Sequence, residues 1–313
     1  MLILGEVRTC LLHNSSVLPR TAVDDLLAVR PGERVSSTER PVPRAVSPDL
    51  LEGVDCQLPT RSGTKASGIG TAITRAVVTA GLVLQASSSV RVTRASNDRR
   101  VAWEHYAERP GTVDVTSRAD VRDLGDGHLR GSSGLTALDL GSLSERLITS
   151  VQMRPQLDRV TVIRARPLWI RWAAELTDTD RPTALVEVRN DNARTIRLVI
   201  NHRHAGVVAQ FCEDFALHDW LLTTLGYLLE LVERGGTPRQ DPVDILRAAI
   251  DRLVHVWMPG AHVDPALRVF WDSLERRPGF SLQWNTQVAR VRDQIALRSL
   301  RALERLRHGD ANW

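Results

Sequence analysis

Lysine is almost missing from this chain: Lys65 is the only one among 41 basic residues. Arginine and lysine are not interchangeable chemically. A skew spread over the whole sequence therefore reads as a GC-rich, actinobacterial coding bias before it reads as a functional device. The same bias explains a sequence pI near 9.5 with a net charge of only +4, because arginine holds its proton so firmly. Basic residues are not gathered in one block, and aromatic residues make up 4% of the chain, so stacking on bases has little to work with.

Cysteine is scarce as well. Cys10, Cys56 and Cys212 are odd in number and far apart, so no disulfide framework and no CxxC pair can be drawn. A reducing compartment is the expectation. The first residues, Met1-Leu2-Ile3-Leu4, soon meet Glu6 and Arg8, which denies a signal-peptide apolar region. The longest uncharged apolar run, Trp220 to Leu229, is half of the roughly 20 residues a bilayer requires. The expected location is the cytoplasm. Missing, too, are HExxH, GxxxxGK[ST] and G-x-S-x-G, and Cys10 and His13 on one strand would face opposite ways.

What is present is a change of period. Residues 1–12 read as a strand, 20–29 as a short helix capped by Thr21 and ended by Arg30-Pro31-Gly32, and 33–64 as extended loop with a short strand near 54–56. The stretch 69–95, rich in Thr and Val with Gly81 at a turn, predicts an antiparallel meander. A polar, glycine-rich passage from 97 to 142 and a short helix at 142–151 follow. Four runs then read as strands: 160–163, 168–172, 184–188 and 196–200. The last two alternate as half-buried strands do.

After residue 205 the pattern turns helical. Val208, Phe211, Phe215, Leu222, Leu225, Leu229 and Val232 share a stripe, and Leu217, Leu221 and Leu228 fall elsewhere, so this helix is apolar on most sides and central. It is expected to stop at Gly235-Gly236. Helices from Asp241-Pro242 to about 257, over 264–276 and over 281–307 complete the set. Strands and helices segregate, which predicts an α+β fold: an antiparallel, β-rich part over 1–204 and a helical subdomain over 205–313 packed on it. The eight tryptophans are expected to fill the core between sheet and helices.

Three candidate sites follow. The first is the polar edge of the central helix, with Glu213, Asp214, His218 and Asp219 as candidate catalytic residues. Asp214 and His218, four apart, face the same way, so the carboxylate can orient the imidazole or share a metal with it. His202 and His204 would share a strand face, and with Asp214 and His218 they form the candidate metal set. The simpler reading is a helix start favoured by its dipole, or a buried His-Asp pair fastening helix to sheet. The second is the loop at Lys65, Gly68 and Gly70, which has the glycines of a phosphate cradle but not their order; a turn entering the meander accounts for it equally. The third is the last helix, with Arg290, Arg292, Arg298, Arg301, Arg305 and Arg307. It reads as a nucleic-acid, membrane or acidic-partner surface, or as an ordinary solvated arginine face.

Leu4-Gly5-Glu6-Val7-Arg8-Thr9-Cys10-Leu11-Leu12, Gly53-Val54-Asp55-Cys56-Gln57-Leu58-Pro59 and the stretch from Cys212-Glu213-Asp214 to Thr224 resemble a Streptomyces-type actinomycete family. The resemblance spans most of the chain, less so after 235. Members are encoded beside a variant P-loop protein and a methyltransferase-like protein. The resemblance names no catalytic residue. It implies one component of a multi-protein system, with a P-loop-type protein as a possible partner. The expectation is thus a non-catalytic accessory or scaffold subunit with protein partners and no cofactor. An enzyme built on the 202–219 cluster and a basic nucleic-acid-binding module are the alternatives.

Overall fold

A computed structural model describes residues 1–95, 100–117, 119–131, 136–234 and 241–309. The fold is α+β, built on one mixed sheet of ten strands. Its centre is β1 (Leu2–Leu11), flanked antiparallel by β6 (Val83–Arg94) and β8 (Leu168–Thr177). Beyond β8 lie β10 (Ala193–Asn201), parallel to it, and β9 (Thr183–Asn190), antiparallel to β10 and at the sheet's end. Beyond β6 lies β5 (Ala66–Thr79), whose outer side pairs with β3 (Arg44–Val46) and β4 (Leu50–Leu58); β2 (Ser36–Thr38) pairs with β3. Short β7 (Thr112–Val115) wedges between the ends of β5 and β6.

The period of two along β1 separates two cores. Ile3, Val7 and Leu11 point to one face and pack against the long helix α5 (Val208–Glu233), with α6 (Pro242–Leu253), α7 (Arg268–Arg276) and α8 (Phe280–Gly309) around it. Leu2, Leu4 and Leu12 point the other way, towards α1 (Arg20–Leu27), α3 (Val121–Arg130) and α4 (Leu140–Gln152). The remaining helix, α2 (Trp103–Ala107), is short. Helices thus cover both faces of the sheet. The core facing α5 runs unbroken from β1, β8 and β10 into α5–α8. Trp172, Trp220, Trp271 and Trp284 are buried in it, whereas Trp103 is half exposed elsewhere.

Several local expectations need correction. Thr21 is not the cap of α1: Pro19 holds that position and no side chain bonds the first turn. The stretch 33–64 is not mostly loop, since β2, β3 and β4 occupy it and β4 runs nine residues. Residues 160–163 form no strand; Ile163 is buried while Val160 is exposed, so the apolar run anchors a loop at one point. Nor does β9 alternate. As a terminal strand it exposes seven of its eight residues, including Leu185 and Val188. The expected stop at Gly235-Gly236 lies outside the described residues. No helix among the described residues is long and apolar enough to cross a membrane.

Candidate functional site

The residues singled out on α5 occupy its second and third turns, and three of them are buried: Glu213, Asp214 and His218 are 1%, 5% and 1% exposed. They do not form one cluster. Each takes a different partner, because successive positions of a helix point about a quarter-turn apart.

Glu213 faces the sheet. Arg75 Nε on β5 donates to Oε1 at 2.7 Å and Arg44 Nη2 on β3 to Oε2 at 2.7 Å, while Gln85 Nε2 donates to the Glu213 carbonyl at 2.9 Å. Burial alone would raise this carboxyl's pKa; the Arg75 and Arg44 charges and their hydrogen bonds outweigh burial and hold it below its ordinary value. The arrangement leaves no lone pair for chemistry. It clamps α5 to two strands.

Asp214 and His218 face α7 and the turn after α6. His218 Nδ1 lies 2.7 Å from the Asp214 carbonyl oxygen, and Nε2 accepts the Met258 amide at 3.2 Å. That pattern requires a neutral ring protonated on Nδ1. Burial lowers the ring's pKa, in agreement. Trp257 and Trp271 meet the imidazole edge to face, with centroids 5.0 and 5.3 Å away. The Asp214 carboxylate accepts the Gly260 amide at 2.8 Å. Gly260 sits at φ +75°, a conformation that suits glycine, and brings its amide to that oxygen. The pair is a latch that fastens the 257–260 turn onto α5.

Asp219 belongs to a third neighbourhood. Its Oδ2 lies 3.0 Å from Arg194 Nε on β10, and Arg194 also reaches Thr223 Oγ1 at 3.3 Å. Burial raises the Asp219 pKa against the pull of Arg194. This residue lines a cavity of about 570 Å³ between the β9–β10 end of the sheet and α5 and α8. The Arg166 guanidinium covers the Tyr227 ring on the cavity's wall, 4.5 Å from its centroid. Of the four candidate catalytic residues, Asp219 alone borders open space of this size.

The candidate metal set is not assembled. His202 and His204 occupy a short turn before α5 rather than a strand; His202 lies 3.9 Å from the exposed Asp178 and His204 accepts from Arg203. Asp214 and His218 spend their ring and carboxylate atoms on backbone groups further along the helix. Among the described residues no group of three His, Cys, Asp or Glu is placed to hold a metal ion.

Lys65 is exposed just ahead of β5, and Gly68 and Gly70 lie inside that strand. A Cβ on Gly70 would stand 2.0 Å from the Thr112 carbonyl oxygen, and one on Gly68 2.8 Å from Val113. These glycines admit β7 beside β5. On α8, Arg290 pairs with Glu233 and Arg298 donates to the Val232 carbonyl, so two of the six arginines brace α5. The Arg305 side chain lies outside the described residues.

Reading the residues alone missed Glu6. Buried on β1, it is held by Arg171 at 2.9 Å and Arg8 at 3.1 Å, the counterpart of Glu213 on the opposite face. The available signal was a charged residue in an apolar strand. His128 was missed too: Nε2 meets the Gly5 carbonyl at 2.9 Å and burial lowers its pKa to about 4.

The chain matches no protein-family model, no curated protein and no solved structure.

Proposed function

We propose that this chain is a non-catalytic accessory or scaffold subunit, working in the cytoplasm, that binds a protein partner through its helical half. The observation that carries the reading is the outer face of α8. Trp284, Val288 and Val291 pack inward, at 3%, 7% and 0% exposure, while Leu282, Leu297, Leu300 and Leu303 stand outward at 72%, 49%, 57% and 63%. At 100° per residue the four leucines fall within one side of the helix, away from the packed side. A solvated surface gains nothing from leucines grouped this way; an amphipathic helix awaiting a groove does. The internal engagement of Glu213, Asp214 and His218 supports the reading by removing three candidate catalysts from solvent.

A second reading, acid/base chemistry at Asp219, rests on the cavity beside that residue. The two separate experimentally. Affinity capture from the native cells with wild-type chain and with Leu300→Glu/Leu303→Glu tests the first: a stoichiometric partner is expected with the wild type and lost with the variant. Capture unchanged by Asp219→Asn but abolished by the leucine variant favours the accessory subunit.

A further inference from the structure

The long helix α5 starts without a cap. Val207 supplies no side-chain acceptor, no acidic residue stands in the first turn, and the first intrahelical bond runs from the Phe211 amide to the Val207 carbonyl. The amides of Val208, Ala209 and Gln210 therefore present the positive end of a 26-residue helix without a side chain to receive it. Beside this helix start, against the sheet, lies a cavity of about 230 Å³.

A second, independent feature meets the same space. Trp172 is wholly buried, yet its Nε1 has no hydrogen-bond partner. The indole lies over Gly5: a Cβ there would stand 2.2 Å from Cε2 and Cζ2 and 2.7 Å from Nε1. Gly5 pairs with Trp172 on one side and with Ser89 on the other. The edge carrying Nε1 therefore reaches across β1 towards β6, where Ser87 and Ser89 line the cavity with Trp172. A buried donor left unpaired costs about 1–3 kcal/mol, so a native chain that keeps one calls for an explanation.

The charges around the space are few and can be named. Arg75 and Arg91 line it, and so does the Asp49 carboxyl; Glu213 lies behind Arg75 with Arg44 on its far side. Arg91 forms no ion pair among the described residues, whereas Arg75 is already spent on Glu213. Three guanidinium groups against two carboxyls leave one positive charge in surplus, and the helix start adds to it. An indole N–H, two serine hydroxyls, helix amides and one uncommitted guanidinium form a set dominated by donors. Such a set is complementary to an oxyanion.

We propose that this cavity binds a phosphate group, taken up between Trp172 Nε1, Ser87, Ser89, Arg91 and the first amides of α5. The site is separate from the α8 surface and does not depend on the accessory-subunit reading. Its size suits one phosphate group with at most a small attachment inside the protein.

Isothermal titration of the full chain at low salt tests it, with inorganic phosphate and AMP in separate arms. Saturable binding of phosphate assigns the free ion; binding of AMP without phosphate assigns a phosphate ester. Arg91→Ala, which removes an exposed and unpaired side chain, is expected to weaken binding about tenfold, one charge-assisted hydrogen bond's worth. Trp172→Phe keeps the ring and removes the N–H, and is expected to weaken it by a smaller factor. Should Trp172→Phe fail to fold, Arg91→Ala decides alone. No binding in either arm, or binding equally strong after Arg91→Ala, would overturn the proposal.

Discussion

Arg75 Nε lies 2.7 Å from Glu213 Oε1, joining β5 to the second turn of α5 across 138 positions of the chain. With Arg44 on the second carboxylate oxygen, this triad sets where the helical layer sits on the sheet. Removing one member of such a group is more costly than the group is stabilising, because the survivors keep their desolvation cost. Glu213→Gln leaves two guanidinium groups facing each other. A loss of about 3 kcal/mol is expected in urea unfolding, since both arginines keep some access to water. A loss below about 1 kcal/mol would mean that the clamp is not needed.

Asp214→Asn preserves an oxygen that can accept the Gly260 amide, whereas Asp214→Ala leaves that amide unpaired. The asparagine variant should unfold within about 1 kcal/mol of wild type and the alanine variant should lose about 1–3 kcal/mol. Equal losses would indicate that the carboxylate's charge, not its acceptor, is what the latch uses.

The backbone plan was legible because it is local. A period of two marked β1, β6, β8 and β10, and an apolar girdle marked α5. The clamps were not legible, because Glu213 meets Arg75 and Arg44 from 138 and 169 positions away and no spacing rule links them. Clustering by sequence misled at 212–219: neighbours on a helix diverge, so one polar run became three separate sites. Alternation misled at β9, whose place at the sheet's end leaves both faces exposed. Gly68 and Gly70 looked like a ligand loop but serve strand packing, which only the position of Thr112 and Val113 reveals.

Gly5→Ala probes the close approach of β1 and Trp172. The added methyl would overlap the indole at 2.2 Å. Destabilisation of about 1–3 kcal/mol is expected from overpacking, accompanied by a shift in tryptophan emission. The double variant Gly5→Ala/Trp172→Leu should recover part of the loss. No recovery would place the strain in the backbone instead.

The pH dependence of stability has a defined sign at His128. Its folded pKa of about 4 lies below the ordinary 6.5, so the folded state binds fewer protons than the unfolded one across that interval. Its contribution is complete above pH 6.5, declines as the pH falls, and is fully lost below about 4. The size is roughly 3 kcal/mol for a buried ring. Burial shifts His218 in the same direction. Unfolding midpoints of wild type should fall between pH 6.5 and 4 more steeply than those of His128→Gln, which keeps a donor for the Gly5 carbonyl. Parallel curves would show that His128 titrates normally in the fold.

The central claim is that α8 docks a protein. It is tested most directly by affinity capture from the native cells, comparing wild type with Leu300→Glu/Leu303→Glu after matched far-ultraviolet circular dichroism spectra. The expected result is one stoichiometric partner retained by the wild type and reduced at least about tenfold in the variant, as for central contacts of an interface. The same partner captured equally by both chains, or no partner with either, would contradict the account.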